Sequence, residues 1–201
     1  MSDPAARKAE LIEILGARTF KRGRFTLASG RESRIYFNMK ATMMHPRGAL
    51  LCAEGLLDLI EGLDGDYVSG LEMGAVPVLG AIAALSDQRG RPVPATFVRK
   101  SVKDHGTKVL VEGLDAHGGE SLEGKTVILI DDVATTGGSI LQAADQLALA
   151  GARMTDALVI VDREEGATQA LAERGIRLHA LVTATDIGVT EEDRQPFEDA
   201  I

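Results

Sequence analysis

Apolar positions recur at helical spacing over residues 5–18, where Leu11, Ile12, Ile14 and Leu15 share one side. A second helix is predicted over 47–63, with Pro46 near its start and Leu50, Leu51, Leu56, Leu57 and Ile60 apolar. Between them, residues 19–40 carry glycines, many basic groups and the alternation Ile35-Tyr36-Phe37-Asn38, which predicts a β-hairpin or extended arm. From about residue 64 the pattern changes to short apolar runs alternating with helical stretches. Strands are expected at Asp66–Ser69, Pro94–Val98, Val127–Ile130, Ala157–Val161 and His179–Val182, with a further one inside Lys108–Val111. Helices are expected at Val76–Ala84, from Ser139 to the stop at Gly151, at Ala167–Glu173 and near Glu191–Ala200. This rhythm predicts an α/β fold with a doubly wound, mainly parallel sheet. The first forty residues do not share it and read as a small N-terminal helix and hood over a core of residues 41–201.

The run Val127–Ile130 ends in Asp131 and Asp132, followed by Val133, Ala134, Thr135, Thr136, Gly137, Gly138 and Ser139. Two carboxylates at the carboxyl end of a parallel strand stand where open α/β sheets bind ligands. The turn after them offers hydroxyls and closely spaced backbone N–H groups, and a helix start favours an anion. Acceptors for sugar hydroxyls or a hydrated metal thus adjoin donors for a phosphate, which suits a phosphorylated sugar. Simple helix capping by Asp and Ser is the plain alternative. The segment lacks the Gly-Lys-Ser/Thr of a Walker loop and the G-x-G-x-x-G of a dinucleotide fold.

Composition narrows the partners. The chain has 201 residues, a formal net charge of −8 and 45% hydrophobic residues, but only 3% aromatics, so aliphatic side chains must fill the core. The acidic balance argues against a general nucleic-acid binder. No apolar run approaches a membrane span and residues 1–10 show no export signal, so a cytoplasmic protein is expected. The single Cys52, inside Leu50-Leu51-Cys52-Ala53, reads as a core thiol.

Four further segments carry candidate chemistry. Arg99-Lys100-Ser101-Val102-Lys103-Asp104-His105-Gly106 opens a polar stretch over residues 100–124, read either as a solvated surface loop or as a basic lid able to close over a diphosphate. Ser69–Pro77 is a Gly-containing strand–helix turn suited to a second anion. Asp162-Arg163-Glu164-Glu165-Gly166 offers a planar donor for a carboxylate or imide, or a surface ion pair. Phe25–Ser33, then Tyr36, Asn38 and Lys40, form a polar arm.

The acid pair and its turn resemble the phosphoribosyl diphosphate (PRPP) motif of type I phosphoribosyltransferases. Together with the arm Phe-Thr-Leu-x-Ser-Gly-Arg-x-Ser, the loop Arg-Lys-x-x-Lys-Asp-His-Gly and Asp-Arg-Glu-Glu-Gly, nearly the whole chain resembles the orotate phosphoribosyltransferase family. The resemblance implies transfer of phosphoribosyl from PRPP to orotate, in pyrimidine biosynthesis, with Mg²⁺ held mainly by PRPP and water-mediated to Asp131 and Asp132. It implies that Lys100 and His105 bind PRPP from one subunit, while Arg99 and Lys103 reach the neighbouring subunit's site in a homodimer. Asp131, Asp132, Val133, Ala134, Thr135, Thr136, Gly137, Gly138 and Ser139 would bind the ribose phosphate, and Thr135 and Arg163 would meet orotate. Lys103, His105, Asp131 and Asp132 would carry catalysis. The chain departs from the family at Ala28, where relatives often have Lys, and at Asn38 and Lys40, where many have Asp and Arg. A purine phosphoribosyltransferase would share the acid pair but not the arm. A PRPP-sensing regulator would carry an added nucleic-acid-binding segment or a broken lid, and this chain has neither an obvious basic winged helix nor a lost Lys103 or His105.

Overall fold

The computed structural model of the chain describes residues 3–26, 32–101 and 110–195. Helix α1 (Pro4–Arg18) starts at Asp3, whose side chain accepts from the Ala6 N–H, and Pro4 occupies the first turn, where a missing N–H does no harm. Strands β1 (Phe20–Thr26) and β2 (Glu32–Phe37) form the expected antiparallel arm. A short helix α2 (Lys40–Met43) leads into α3 (Pro46–Ile60). Strand β3 (Tyr67–Ser69) and helix α4 (Val76–Gln88) follow, then β4 (Phe97–Val98) and β5 (Val111–Glu112), an antiparallel pair, and a 3₁₀ turn at Leu114–His117. The chemistry-bearing part is β6 (Val127–Ala134), α5 (Gly138–Leu149), β7 (Asp156–Asp162), α6 (Ala167–Ala172), β8 (Arg177–Thr183) and α7 (Glu191–Arg194).

The central sheet is parallel, in the order β3-β6-β7-β8. Because strand side chains alternate faces, it feeds two cores. Val68, Ile128, Ile130, Leu158, Ile160 and Val182 pack with α1, α3 and α4 on one face. Tyr67, Val127, Leu129, Ala157 and Val159 pack with α5 and α6 on the other. Helices thus cover both faces, which is the doubly wound arrangement expected from the pattern. Cys52 is fully buried and its thiol is pushed up to about 12 by that burial, an inert core group.

Several boundaries differ from the sequence expectation. Strand β6 runs on to Ala134, because Val133 and Ala134 pair with Val161 and Asp162 of β7. The acid pair therefore lies inside the strand rather than beyond its end. Pro92 and Pro94 donate no N–H, so the expected strand Pro94–Val98 shrinks to Phe97–Val98, although Ala95 and Val98 still bridge the β3 side in parallel. The polar stretch 100–124 is not one loop. From residue 110 it forms β5 and the 3₁₀ turn, Leu122 is fully buried, and the Tyr67 hydroxyl donates to Glu120. Helix α1 is not a detached cap either: Leu11 and Leu15 are buried in the same core as α3. Arg7, also buried, pairs with Asp58 of α3, which Arg89 contacts too at 3.0 Å. Of the first forty residues, the β1–β2 arm is the part that pairs apart from the central sheet. The expected helix near Glu191–Ala200 is the four-residue α7, which ends at Arg194 with Gln195 already extended; residues 196–200 lie outside the described residues.

Candidate active site

The loops after β3, β6, β7 and β8 all leave the same edge of the parallel sheet, and the candidate residues gather there. Asp131 is buried, with 4% of its surface exposed, and Asp132 is half-buried. Three contacts hold the pair. The Asp132 N–H donates to Asp131 Oδ1 at 2.9 Å, the Ser139 hydroxyl donates to Asp131 Oδ2 at 2.5 Å, and β6 pairing fixes the backbone. Burial, followed by the charge of Asp132, pushes the Asp131 carboxyl up to about 7. Asp132 is raised as well, chiefly by burial, against the opposing pull of its neighbouring hydrogen bonds and of Lys40. Two carboxyls held together in a dry place are poorly satisfied by the protein alone, as a site awaiting cationic or hydroxyl-bearing partners should be.

The turn Thr135–Gly137 then opens α5. Gly137 sits at φ 83°, a left-handed conformation disfavoured for any residue with a Cβ. The first bond of the helix runs from the Leu141 N–H to the Gly137 carbonyl at 2.9 Å, so the N–H groups ahead of it lack intrahelical acceptors. Together with the helix dipole they make a cradle for an anion one turn from the carboxylates. Beneath the pair lies the loop after β3. A Cβ added to Gly74 would come within 2.8 Å of the Oδ1 atoms of both Asp131 and Asp132. Gly74 is thus the floor that lets two carboxylates sit side by side. In the same loop Glu72 accepts from the Lys100 N–H at 2.9 Å, tying the root of the basic loop to this edge.

Arg163 lies at the end of β7, where its N–H donates to the Ala134 carbonyl at 2.8 Å. Its guanidinium is 5.0 Å from the Phe37 ring on the arm and 2.6 Å from Glu165. Its Nε is buried and finds no hydrogen-bond partner among the described residues. A cavity of about 370 Å³ opens beside it, lined among others by Ser33, Ile35, Thr136, Arg163, Glu165 and Arg194. It is large enough for a small planar ring, and Arg163 is among the residues that line it.

The structure thus brings together Asp131, Asp132, Ser139 and the turn before α5, with Arg163 on the adjoining strand end. Thr135 is half-buried in the turn, and it is Thr136 that lines the cavity. Arg99 is held within its own chain, 3.7 Å from Glu112. Lys100 is exposed. Lys103, His105, Ala28 and Arg31 lie outside the described residues. Sequence reasoning missed Gly74 as the floor of the acid pair, Phe37 as the ring beneath Arg163, and Arg194. The first two sat in segments already singled out; nothing local marked Arg194.

Residues 45–173 match the model of the phosphoribosyl transferase domain. Over 182 residues the chain is 48% identical to an orotate phosphoribosyltransferase of Rhodopseudomonas palustris, covering 90% of this chain and 96% of that one. The chain belongs to the orotate phosphoribosyltransferase family. Solved members share its fold. The Mycobacterium tuberculosis orotate phosphoribosyltransferase superimposes with a TM-score of 0.78 at 33% identity, over 91% of this chain and 99% of that one. A structure of the same enzyme in complex with PRPP superimposes with a TM-score of 0.74 at 30% identity, over the same shares. Within an orotate phosphoribosyltransferase, the departure at Lys40 acquires a local setting: its charge pulls the Asp132 carboxyl down against the effect of burial. Among the described residues no helix is long and apolar enough to cross a membrane.

Proposed function

We propose that this chain transfers the phosphoribosyl group of PRPP to N1 of orotate, releasing pyrophosphate and orotidine 5′-monophosphate, in the cytoplasm. The observation that carries the reading is the adjacent acid pair at the lip of an anion-binding turn, with Arg163 lining the neighbouring cavity. Asp131 and Asp132 bind the ribose hydroxyls, the turn Thr135–Ser139 takes the 5-phosphate, and Arg163 presents its fork to orotate. Orotate already carries its negative charge and an acidic ring N–H, so no strong base is needed. The hard step is separating pyrophosphate from C1, which leaves a cation-like ribosyl centre. The acid pair, desolvated and oriented before substrate arrives, stabilises that positive charge without reorganising.

Mg²⁺ fits the donor set. The two carboxylates stand together and could meet a hydrated cation. The ion would be held mainly by PRPP, with Asp131 and Asp132 reached through water. When bound it would neutralise diphosphate charge. Lys100, Lys103 and His105 would supply positive charge to the diphosphate. We further propose a homodimer in which Arg99 and Lys103 serve the neighbouring subunit's site, with Arg99 leaving Glu112 to do so. The test is loss of orotate absorbance on incubation with PRPP and Mg²⁺, with adenine, guanine and hypoxanthine as competing acceptors. Consumption of a purine but not of orotate would overturn the assignment.

A further inference from the structure

The segment from Gly188 to Gln195 spans two parts of the site that sequence places far apart. On one side it grips the arm. Arg22 of β1 donates through Nε to Asp193 Oδ1 at 3.0 Å and through Nη2 to the Gly188 carbonyl at 2.7 Å, and Arg34 of β2 donates to the Gln195 carbonyl at 3.3 Å. Thr190 and Asp193 cap α7 reciprocally, and the Arg22 bond, then the cap, holds the Asp193 carboxyl down at about 2. On the other side it grips the loop after β7. Arg194 donates through Nη1 to the Arg163 carbonyl at 2.6 Å and through Nη2 to Glu164 Oε2 at 2.7 Å. The same Glu164 oxygen accepts from the Thr185 hydroxyl at 2.6 Å and from the Thr185 N–H at 3.1 Å.

This bracing falls where the backbone most needs it. Glu164 has φ 59°, the one non-glycine residue with positive φ among the described residues, and such a conformation relaxes unless neighbours hold it. The Asp162 carboxylate holds its N–H at 2.8 Å, and Arg194 holds both its side chain and the preceding carbonyl. That carbonyl belongs to Arg163, which lines the cavity proposed for orotate. We propose that Arg194 is a positioning residue for Arg163, and that α7 is a strap setting the spacing between the arm and the base-binding loop. The inference rests on the assignment of Arg163 to orotate. Its consequence is selective. Arg194 acts on the base side of the site, while the PRPP turn is built by β6 and α5 without it.

The experiment is steady-state kinetics of the full chain with Arg194→Ala, Arg194→Lys and Glu164→Gln, varying orotate at saturating PRPP and then the reverse, alongside thermal melting. Arg194→Ala loses the bonds to the Arg163 carbonyl, Glu164 and the Thr185 hydroxyl, so KM for orotate is expected to rise by about tenfold or more, with KM for PRPP within about twofold of wild type. Lys keeps the charge but not the fork, so Arg194→Lys should fall between wild type and Arg194→Ala. Glu164→Gln should move KM for orotate in the same direction by less. Should Arg194→Ala fail to fold, the other two decide: an unmoved KM for orotate in both overturns the inference. So does a folded Arg194→Ala with unchanged KM for orotate, or with both KM values rising together, which would mark a general structural role. A wild-type chain that leaves orotate untouched overturns the functional assignment and this inference with it. An active wild type with an unmoved variant overturns this inference alone.

Discussion

Replacing Asp131 with Asn should stabilise this protein while disabling it, and the gain should depend on pH. Burial, then the neighbouring charge of Asp132, pushes the folded carboxyl up from an ordinary 3.8 to about 7. A carboxyl raised on folding favours the native state in its protonated form. Below about pH 4 both folded and unfolded chains hold the proton, and that contribution is fully present. Between about pH 4 and 7 the unfolded chain releases a proton that the native chain keeps, so stability falls as pH rises. The loss above pH 7 is then on the order of a few kcal/mol. The substituted amide would have no charge to bury, yet would keep the volume and an oxygen able to accept from Ser139 or the Asp132 N–H. The assay is thermal melting of wild type and Asp131→Asn from pH 4 to 8. The difference should be near zero at pH 4 and grow with pH, at about 2–4 °C per kcal/mol for a chain of this size. Over the same series kcat/KM for PRPP should fall by roughly 10²-fold or more. A variant that melts below wild type at pH 8, or a difference that does not change with pH, would refute the reasoning.

Gly74→Ala should press a methyl group onto both carboxylates, since the added Cβ would lie 2.8 Å from each Oδ1. The expected result is a rise in KM for PRPP with a stability loss of about 1–3 kcal/mol, and normal PRPP kinetics would show that the carboxylates shift freely. Lys103→Ala should lower turnover by roughly 10²–10³ with little change in melting, and unchanged turnover at saturating substrates would remove it from the chemistry. Mixing inactive Lys103→Ala and Asp132→Asn chains after brief dissociation should restore part of the activity, because a heterodimer places both lesions in one site. Proven heterodimers without recovery would mean that each subunit uses its own lid.

The sequence by itself determined the fold class and the contiguous core of the candidate site. The period-2 and period-3.6 patterns are local properties of the chain, so the arm, α1, α3, the four parallel strands and their helices were legible within a few residues. The motif from Asp131 to Ser139 was legible for the same reason: strand end, turn and helix start are contiguous, and the Ser139–Asp131 bond closes within eight residues. Tertiary structure alone decided how far β6 extends, because pairing of Val133 and Ala134 depends on β7. It alone placed Leu122 and Glu120 against Tyr67, turning half of an apparent lid into packed structure. It alone brought Gly74 under the acid pair, Phe37 beneath Arg163, and Arg194 across 31 positions onto the Arg163 carbonyl. A glycine, a phenylalanine in a strand and a near-terminal arginine each have ordinary local explanations. Their roles come from which surfaces the sheet order brings together, and sheet order is set by burial of two apolar faces at once, a sum over the whole chain that no local window contains.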